Sequence, residues 1–430
     1  MGEIDRFLRD YAASGVSRLH MPGHKGTLHP LDITEVAGAD SLYEADGIIA
    51  QSERRMAACY GADVTAYSAG GSTLCIQAML ALARERGTRV LCTRNLHTAA
   101  VNAMALLGLQ PEFLPVVQND PRLPGFVRPD ALRAALRGDE AAVYLTAPDY
   151  FGRRMDVAGL TAVCREQDVP LLIDNAHGAH LRFLDHDLHP MTLGASACSD
   201  SPHKTLPALT GAALLHLRLP FGARRKAAMA LFGSTSPSYL ILDSLDRLLE
   251  PMESGALRRD LARLCERCAD LRAVFYAHGL PSVSADPTRL VLDANAAGRT
   301  GIALADELRA ARIEPEYADR AFAVLLPSVC TPAVDWERLH AFAAAFRPAA
   351  PVLWTPPAYP LPERVMTLRE AAFLPSEQVA VGNAAGRVAA RSVAPCPPGV
   401  PAVLPGERIS PELCGLLRET GRTEVDVLCE

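Results

Sequence analysis

The 430 residues are 49% hydrophobic and 21% charged, the proportions of a folded globular chain long enough for two packed domains, which excludes disordered and fibrous architectures. Lys and Arg number 43 against 49 Asp and Glu, a net charge of -6, so no global field draws in nucleic acid or an acidic membrane, and the expected partner is a small molecule. The opening MGEIDRFLRDY is charged where a secretory signal is apolar, no run approaches the ~18 apolar residues that span a bilayer, and the eleven scattered Cys, several in apolar stretches (Cys75, Cys92, Cys164), suit reduced thiols, so the expected location is the cytoplasm.

Strand-like apolar runs alternate with helical periodicity along the first part of the chain. Helices are predicted over Ser72 to Arg86, His97 to Leu107, Pro129 to Arg137 and Asp156 to Gln167, and strands over Val90 to Thr93, Ala141 to Ala147, Val169 to Asp174 and Gly211 to Leu217. The alternation predicts an α/β fold with a mainly parallel sheet covered by helices, in which ligands sit at the carboxyl ends of the strands. A Leu- and Arg-rich helix over Ser254 to Tyr276 leads to a smaller C-terminal α/β domain, with strands at Arg289 to Leu292 and Ala321 to Leu326 and a helix at Asp335 to Phe346. Between Pro348 and Pro411 lie 13 of the 33 prolines, a density that predicts short, extended segments wrapped on a surface, or alternatively a disordered linker. The expected domains are residues 1–35 as an N-terminal segment, 36–252 as the large domain and 253–430 as the small domain with the Pro-rich wrap.

Chemistry concentrates at four places. Lys204 stands in SDSPHKTLPALTG after a strand-like approach; a lysine there is either a solvated loop residue or a reactive amine. Asp174 ends the strand VPLLID, thirty residues earlier, where a buried carboxylate requires a cationic partner. A lysine that forms a Schiff base and an aspartate that faces a pyridinium nitrogen are the minimal equipment for pyridoxal 5'-phosphate. Gly70, Gly71, Ser72 and Thr73 precede an apolar helix whose free N–H groups and dipole suit a phosphate, although a plain glycine turn with a capping hydroxyl has the same sequence.

His97 opens a helix after a strand and can stack on a cofactor ring or cap the helix. His177 and His180 in DNAHGAHLRF lack a third ligand in a recognisable pattern, so no metal is expected. Cys265 and Cys268 form a C-x-x-C inside a helical stretch and are expected to be half-buried thiols.

The chain resembles the Orn/Lys/Arg decarboxylases of fold type I (aspartate aminotransferase-like), specifically the short bacterial members that lack the N-terminal wing domain. The likeness is carried by LHMPGHKG (Leu19 to Gly26), DITEVAGADSLYEADGII (Asp32 to Ile49), AGGSTLCIQAML (Ala69 to Leu80), RNLHTAA (Arg94 to Ala100), APDYFGRRMD (Ala147 to Asp156), LIDNAHGAHLRF (Leu172 to Phe183), SDSPHKTLPALTG (Ser199 to Gly211), STSPSYLILDSLD (Ser234 to Asp246) and PPGVPAVLPGE (Pro397 to Glu407).

The resemblance implies that Lys204 carries the cofactor, that Asp174 pairs with its ring nitrogen, and that His97 and Ala176 pack on its two faces. It implies that Gly71, Ser72, Thr73, Ser201 and His203 hold the phosphate, that His177 lies near the cofactor oxygen or the substrate carboxylate, and that Ser234 and Thr235 serve a neighbouring subunit, making a homodimer or higher homo-oligomer with the site at the interface. The implied reaction converts arginine, lysine or ornithine to its amine and CO2, as in polyamine synthesis. Candidate anchors for the substrate's distal cation are Glu44, Asp46 and Glu407, each of which can also be a surface or capping acid.

Pro202, Tyr43, Ala45, Arg391 and Cys396 depart from the commoner family residues and leave the three substrates unranked. Without the wing domain no acid-stress decamer is expected. Another fold type I activity (aminotransferase, aldolase or elimination lyase) or a non-catalytic regulatory homologue remains compatible with the same lysine and aspartate.

Overall fold

The computed structural model describes residues 1–356, 361–394 and 400–429. Cys396 and residues 397–399 of the last motif lie outside the described residues. The chain divides into two compact units, Met1–Glu85 with Asp156–Leu264, and Arg86–Met155 with Cys265–Glu430.

Seven strands alternate with helices as the periodicity predicts: β1 (Val64–Ser68), β2 (Arg89–Cys92), β3 (Gln110–Phe113), β4 (Ala142–Thr146), β5 (Leu171–Asn175), β6 (Ala197–Asp200) and β7 (Ala213–Leu217). In the first unit the order is β1-β7-β6-β5. There β5 and β6 are parallel, with Asp174 opposite Ser199 and Asn175 opposite Asp200, while β7 runs antiparallel to both β6 and β1. In the second unit β4, β2 and β3 are all parallel. β1 and β3 escape the sequence reading because VTAYS mixes polar with small residues and QPEF contains a proline, which β3 tolerates as the last strand in the order.

The helix Gly71–Arg84 packs on β1, β6 and β7 and buries Leu74, Cys75, Ala78, Met79 and Leu82. Each large side chain so removed from water contributes roughly 1.5–3 kcal/mol. The N-terminal helix Glu3–Ala13 buries Ile4 and Leu8, four residues apart on one face, and docks on the helices Ile48–Tyr60 and Tyr239–Asp246. Asp246 fastens it: one carboxylate oxygen accepts the Asp5 N–H at 3.0 Å and the other the Ser52 hydroxyl at 2.5 Å. A Cβ at Gly2 would stand 1.8 Å from that carboxylate, so the approach requires glycine.

The 22-residue helix Ala256–Ala277 carries the chain onward. Beyond it the antiparallel sheet of β8 (Leu290–Asp293), β9 (Tyr317–Ala318) and β10 (Phe322–Leu325), in the order β8-β10-β9, packs against the helix Gly301–Ala310. Of these, β8 and β10 match the strands predicted for the smaller domain and Ala333–Ala345 matches its predicted helix, whereas β9 and the helix Gly301–Ala310 escape the sequence reading.

The Pro-rich region differs from the expected surface wrap. Its elements are short, a six-residue helix Leu368–Phe373 and the strand β11 (Ser376–Ala380), yet β11 pairs with β12 (Glu424–Leu428). A separate core closes around Val381, Val403, Ile409, Leu413, Leu417 and Val427. Prolines limited element length without preventing burial, because the helix Pro411–Glu419 and β12 supply the apolar faces that cover the intervening segments. Of the C-x-x-C pair, Cys265 is half-buried, but Cys268 is fully buried, not half-buried as expected. Among the described residues no helix is long and apolar enough to cross a membrane.

Candidate active site

Strand β5 is buried along its whole length and delivers Asp174, 3% exposed, to its carboxyl end. The turn that follows is set locally: Asp174 Oδ1 accepts the Ala176 N–H at 3.2 Å, and the Gly178 N–H returns to Asn175 O at 2.8 Å. Ala176 and His177 are thereby held buried beside the strand end.

Parallel β6 ends beside it and turns directly into the single helical turn Pro202–Thr205, with Pro202 at the first helical position, where its missing N–H costs nothing. Lys204 follows two residues later, its backbone N–H on Ser201 O at 3.0 Å. The Lys204 ammonium reaches the His177 imidazole, Nζ to Nε2 3.5 Å. Two adjacent parallel strands thus place the amine and the carboxylate at the same end of the sheet, where parallel α/β sheets form their ligand crevice.

His203, beside Lys204, donates from Nδ1 to Ala212 O at 2.7 Å. Burial, with the Lys204 charge adding to it, lowers the imidazole pKa, so His203 is neutral near pH 7 and its Nε2 is an acceptor. Gly211, next to Ala212, accepts the Gly71 N–H at 2.8 Å, which ties the Gly-rich turn to the same short segment as His203.

These residues fit a phosphorylated pyridine cofactor on three observations. Gly71 adopts φ +68°, and the space a Cβ would fill is open, leaving backbone accessible. The helix that begins there has no side-chain cap, and beyond Gly71, whose N–H is held by Gly211 O, its first-turn N–H groups lie at the positive end of the helix dipole. Ser201 is fully buried, yet its hydroxyl has no partner among the described residues, a costly state unless a ligand oxygen completes it.

The remaining sequence-predicted residues are placed as follows. His97 lies in the second unit, exposed, capping the helix Thr98–Leu107 with Nδ1 accepting the Ala99 N–H at 3.1 Å. Ser234 and Thr235 are exposed, with the Ser234 hydroxyl accepting the Ser236 N–H at 3.1 Å. Tyr43 packs on Gly233 beside them so closely that a Cβ there would lie 1.7 Å from its hydroxyl. Glu44 and Asp46 are exposed in a loop organised by Asp40; partial burial pushes the Asp40 pKa up, but N–H donors from Ser41, Asp46, Ala50 and Gly47 together hold it below the usual range. Arg391 is exposed, 3.8 Å from Asp426.

Glu407 requires a correction. It is 2% exposed and already holds a guanidinium: Arg94 pairs with it through two bonds of 2.6 and 3.0 Å, and the Leu404 N–H adds a third at 2.8 Å. A bidentate pair of this kind is among the stronger polar contacts in proteins, and a substrate cation would have to displace it. Glu407 is therefore a structural acid.

The family model for the major domain of Orn/Lys/Arg decarboxylases matches residues 5–291, and the model for that family's C-terminal domain matches residues 359–418. The chain belongs to this family. The Bacillus subtilis uncharacterized protein YaaO is 28% identical over 94% of this chain and 91% of its own length. An arginine decarboxylase of the same organism is also 28% identical, over 94% and 90%. Among solved structures, the lysine decarboxylase of Francisella novicida superposes with a TM-score of 0.84 at 15% identity, covering all of this chain and 81% of that one. The likeness bears out the expected α/β fold with a smaller C-terminal domain, and the C-terminal family model covers most of the Pro-rich region that here closes its own core.

Two features of this decarboxylase-family chain escape the sequence reading. One is the Arg94–Glu407 pair, between residues 313 apart. The other is a fully buried group around Asp200, which lies inside the SDSPHK motif. A usable signal was present, since an ionisable residue closing a strand as small and apolar as Ala197–Asp200 demands partners.

Proposed function

We propose that this chain is a pyridoxal-phosphate-dependent decarboxylase that converts a basic L-amino acid (arginine, lysine or ornithine) to its amine and CO2 in the cytoplasm, as a homodimer or higher homo-oligomer. The observation that carries the reading is the placement of Lys204 and Asp174 at the ends of neighbouring parallel strands, with Lys204 Nζ 3.5 Å from His177 Nε2. When bound, pyridoxal phosphate supplies an electron sink for the pair of electrons left at the substrate Cα when a bond there breaks.

The chain's own groups then have distinct tasks. Lys204 would provide the amine that holds the cofactor's aldehyde carbon. Asp174 holds a proton on the ring nitrogen, and its burial strengthens that pairing because little water competes. Ser72, Thr73 and Ser201 donate to the phosphate with the helix N-terminus, while His203, its Nδ1–H on Ala212 O, steadies the segment that carries Gly211. Ala176 would pack against one ring face.

His177 accepts a proton from Lys204 or returns one to it, and this pair supplies the proton that replaces CO2 at Cα. The net change breaks the bond from Cα to the carboxylate and forms a C–H bond in its place. Glu44, Asp46, Ser234 and Thr235 are exposed on the single chain, which suits residues that complete the site of a second copy; Glu44 and Asp46 are the remaining anchors for the distal cation.

The test is direct. Purified protein incubated with pyridoxal phosphate should develop the visible absorbance of a lysine-linked cofactor, and should release CO2 and the matching amine from one of lysine, ornithine or arginine. Lys204→Ala should lose both absorbance and turnover. Keto acid in place of CO2 would assign the site to a transaminase-like activity, and turnover surviving in Lys204→Ala would remove the lysine from its role.

A further inference from the structure

We infer that Asp200 is a positioning residue: a buried carboxylate that locks the ends of β5 and β6 together and so fixes where Asp174 and Lys204 stand. The inference rests on the pyridoxal-phosphate reading above and assigns the internal support on which that site's geometry depends.

Asp200 is the last residue of β6, four before Lys204, and lies opposite Asn175, the residue after Asp174. Its side chain is wholly buried. Oδ1 accepts the Asn175 amide N–H at 2.7 Å and the Cys198 thiol at 3.1 Å. Oδ2 accepts from His189 Nε2 at 2.8 Å and faces His216 Nε2 at 3.6 Å. His216 continues the chain of contacts from β7 to β1, its Nδ1 on the Thr65 hydroxyl at 2.8 Å, and the Tyr60 ring lies against both imidazoles, with centroids 4.3 and 5.0 Å away. One carboxylate therefore joins β5, β6, β7 and the loop that carries His189.

The charge state follows from this company. Burial opposes ionisation, but the neighbouring His189 and His216 outweigh it and hold the Asp200 pKa below the usual carboxylate range. A buried network of this kind gives little net stability over a well-packed apolar substitute, so stability alone does not account for it. It does give precision. Sliding β5 against β6 by a fraction of an ångström would stretch the Asn175 bond in a medium where water cannot replace it, and a reactive pair needs its supporting shell held to about that tolerance.

A metal centre is the competing account, since His189, Cys198 and Asp200 offer ligand atoms within 4.8 Å of one another. The tautomer argues against it. The Met191 N–H donates to His189 Nδ1 at 3.3 Å, so the ring proton sits on Nε2 and points at Asp200, where a metal would have to bind.

The experiment compares Asp200→Asn, Asn175→Ala and the double variant with the parent enzyme. It reads the dissociation constant for pyridoxal phosphate, the position of the bound-cofactor absorbance, kcat and KM, and thermal melting. Each single change should weaken cofactor binding and lower kcat by roughly 10- to 100-fold, the range for a partner supporting a directly acting group. KM should move less than kcat, and the double variant should be no worse than the more severe single one.

Asn175→Ala keeps the carboxylate and its imidazoles, so it remains informative if Asp200→Asn does not fold. Affinity, absorbance and kcat within twofold of the parent in both folded variants would overturn the inference while leaving the cofactor reading intact. One equivalent of zinc in the purified parent, lost in Cys198→Ser, would overturn it in favour of a metal centre. A parent enzyme that forms no absorbance with pyridoxal phosphate would instead remove the reading beneath it.

Discussion

Asp243 makes a pH-dependent prediction whose sign is fixed by its surroundings. It lies on the helix Tyr239–Asp246, is 4% exposed, and gives one carboxylate oxygen to Arg247 at 2.7 Å while the other has no partner among the described residues. Burial raises its pKa from 3.8 to about 6; Arg247 opposes the rise, and Asp5 and Asp246 add repulsion. Arg247 is itself shared, holding Asp5 at 3.0 Å as well.

The folded protein thus binds the Asp243 proton more tightly than the unfolded chain does. Stability from this residue is complete below pH 3.8 and is lost as pH rises through about 6. The full difference corresponds to about 3 kcal/mol at about 1.4 kcal/mol per pH unit. Solvent reaching the Arg247 side of the pair reduces this to about 1–2 kcal/mol.

Asp243→Asn removes the titration while keeping an acceptor for Arg247. Urea unfolding of both proteins from pH 4 to pH 8 should show the variant gaining on the parent by about 1–2 kcal/mol across that range, most of it between pH 4 and 6.5. Taking the difference at each pH cancels the remaining titrations. A difference that stays flat, or that moves in favour of the parent as pH rises, would refute the assignment of a burial-dominated carboxyl.

Other changes test other parts of the molecule. Glu407→Ala should cost about 3–5 kcal/mol in urea unfolding, because Arg94 is left as a largely buried cation without its bidentate partner; a loss below 1 kcal/mol would mean the guanidinium finds water. Gly71→Ala should cost about 1–2 kcal/mol through its left-handed backbone, since the space around it is open, and should weaken pyridoxal phosphate binding in an absorbance titration. In mass-spectrometric thiol labelling, exposed Cys330 and Cys429 should react first, whereas Cys75, Cys92 and Cys268, buried and with pKa values pushed up to about 12, should react only on unfolding.

Much of the fold was legible because each element announces itself locally. LLIDN reads as a buried parallel strand from five residues, and the stretch after Gly71 reads as a helix from its apolar spacing. Lys204 and Asp174 were recoverable for the same reason, since each sits at a strand end that composition alone locates. The Pro-rich region was misjudged because the residues that cover it, Leu413, Leu417, Val425 and Val427, follow it in the chain and show their purpose only when folded back.

By itself the sequence determined the alternation of strands and helices, the family, and the residues able to carry the chemistry, all of which depend on neighbours a few positions apart. Tertiary structure decided the partnerships of buried charge: that Glu407 is taken by Arg94, and that Asp200 is shared among Asn175, His189 and Cys198, with His216 close by. A charge withdrawn from water must be matched by whatever the fold brings within about 3 Å, and strand register, not proximity in sequence, settles which residues those are.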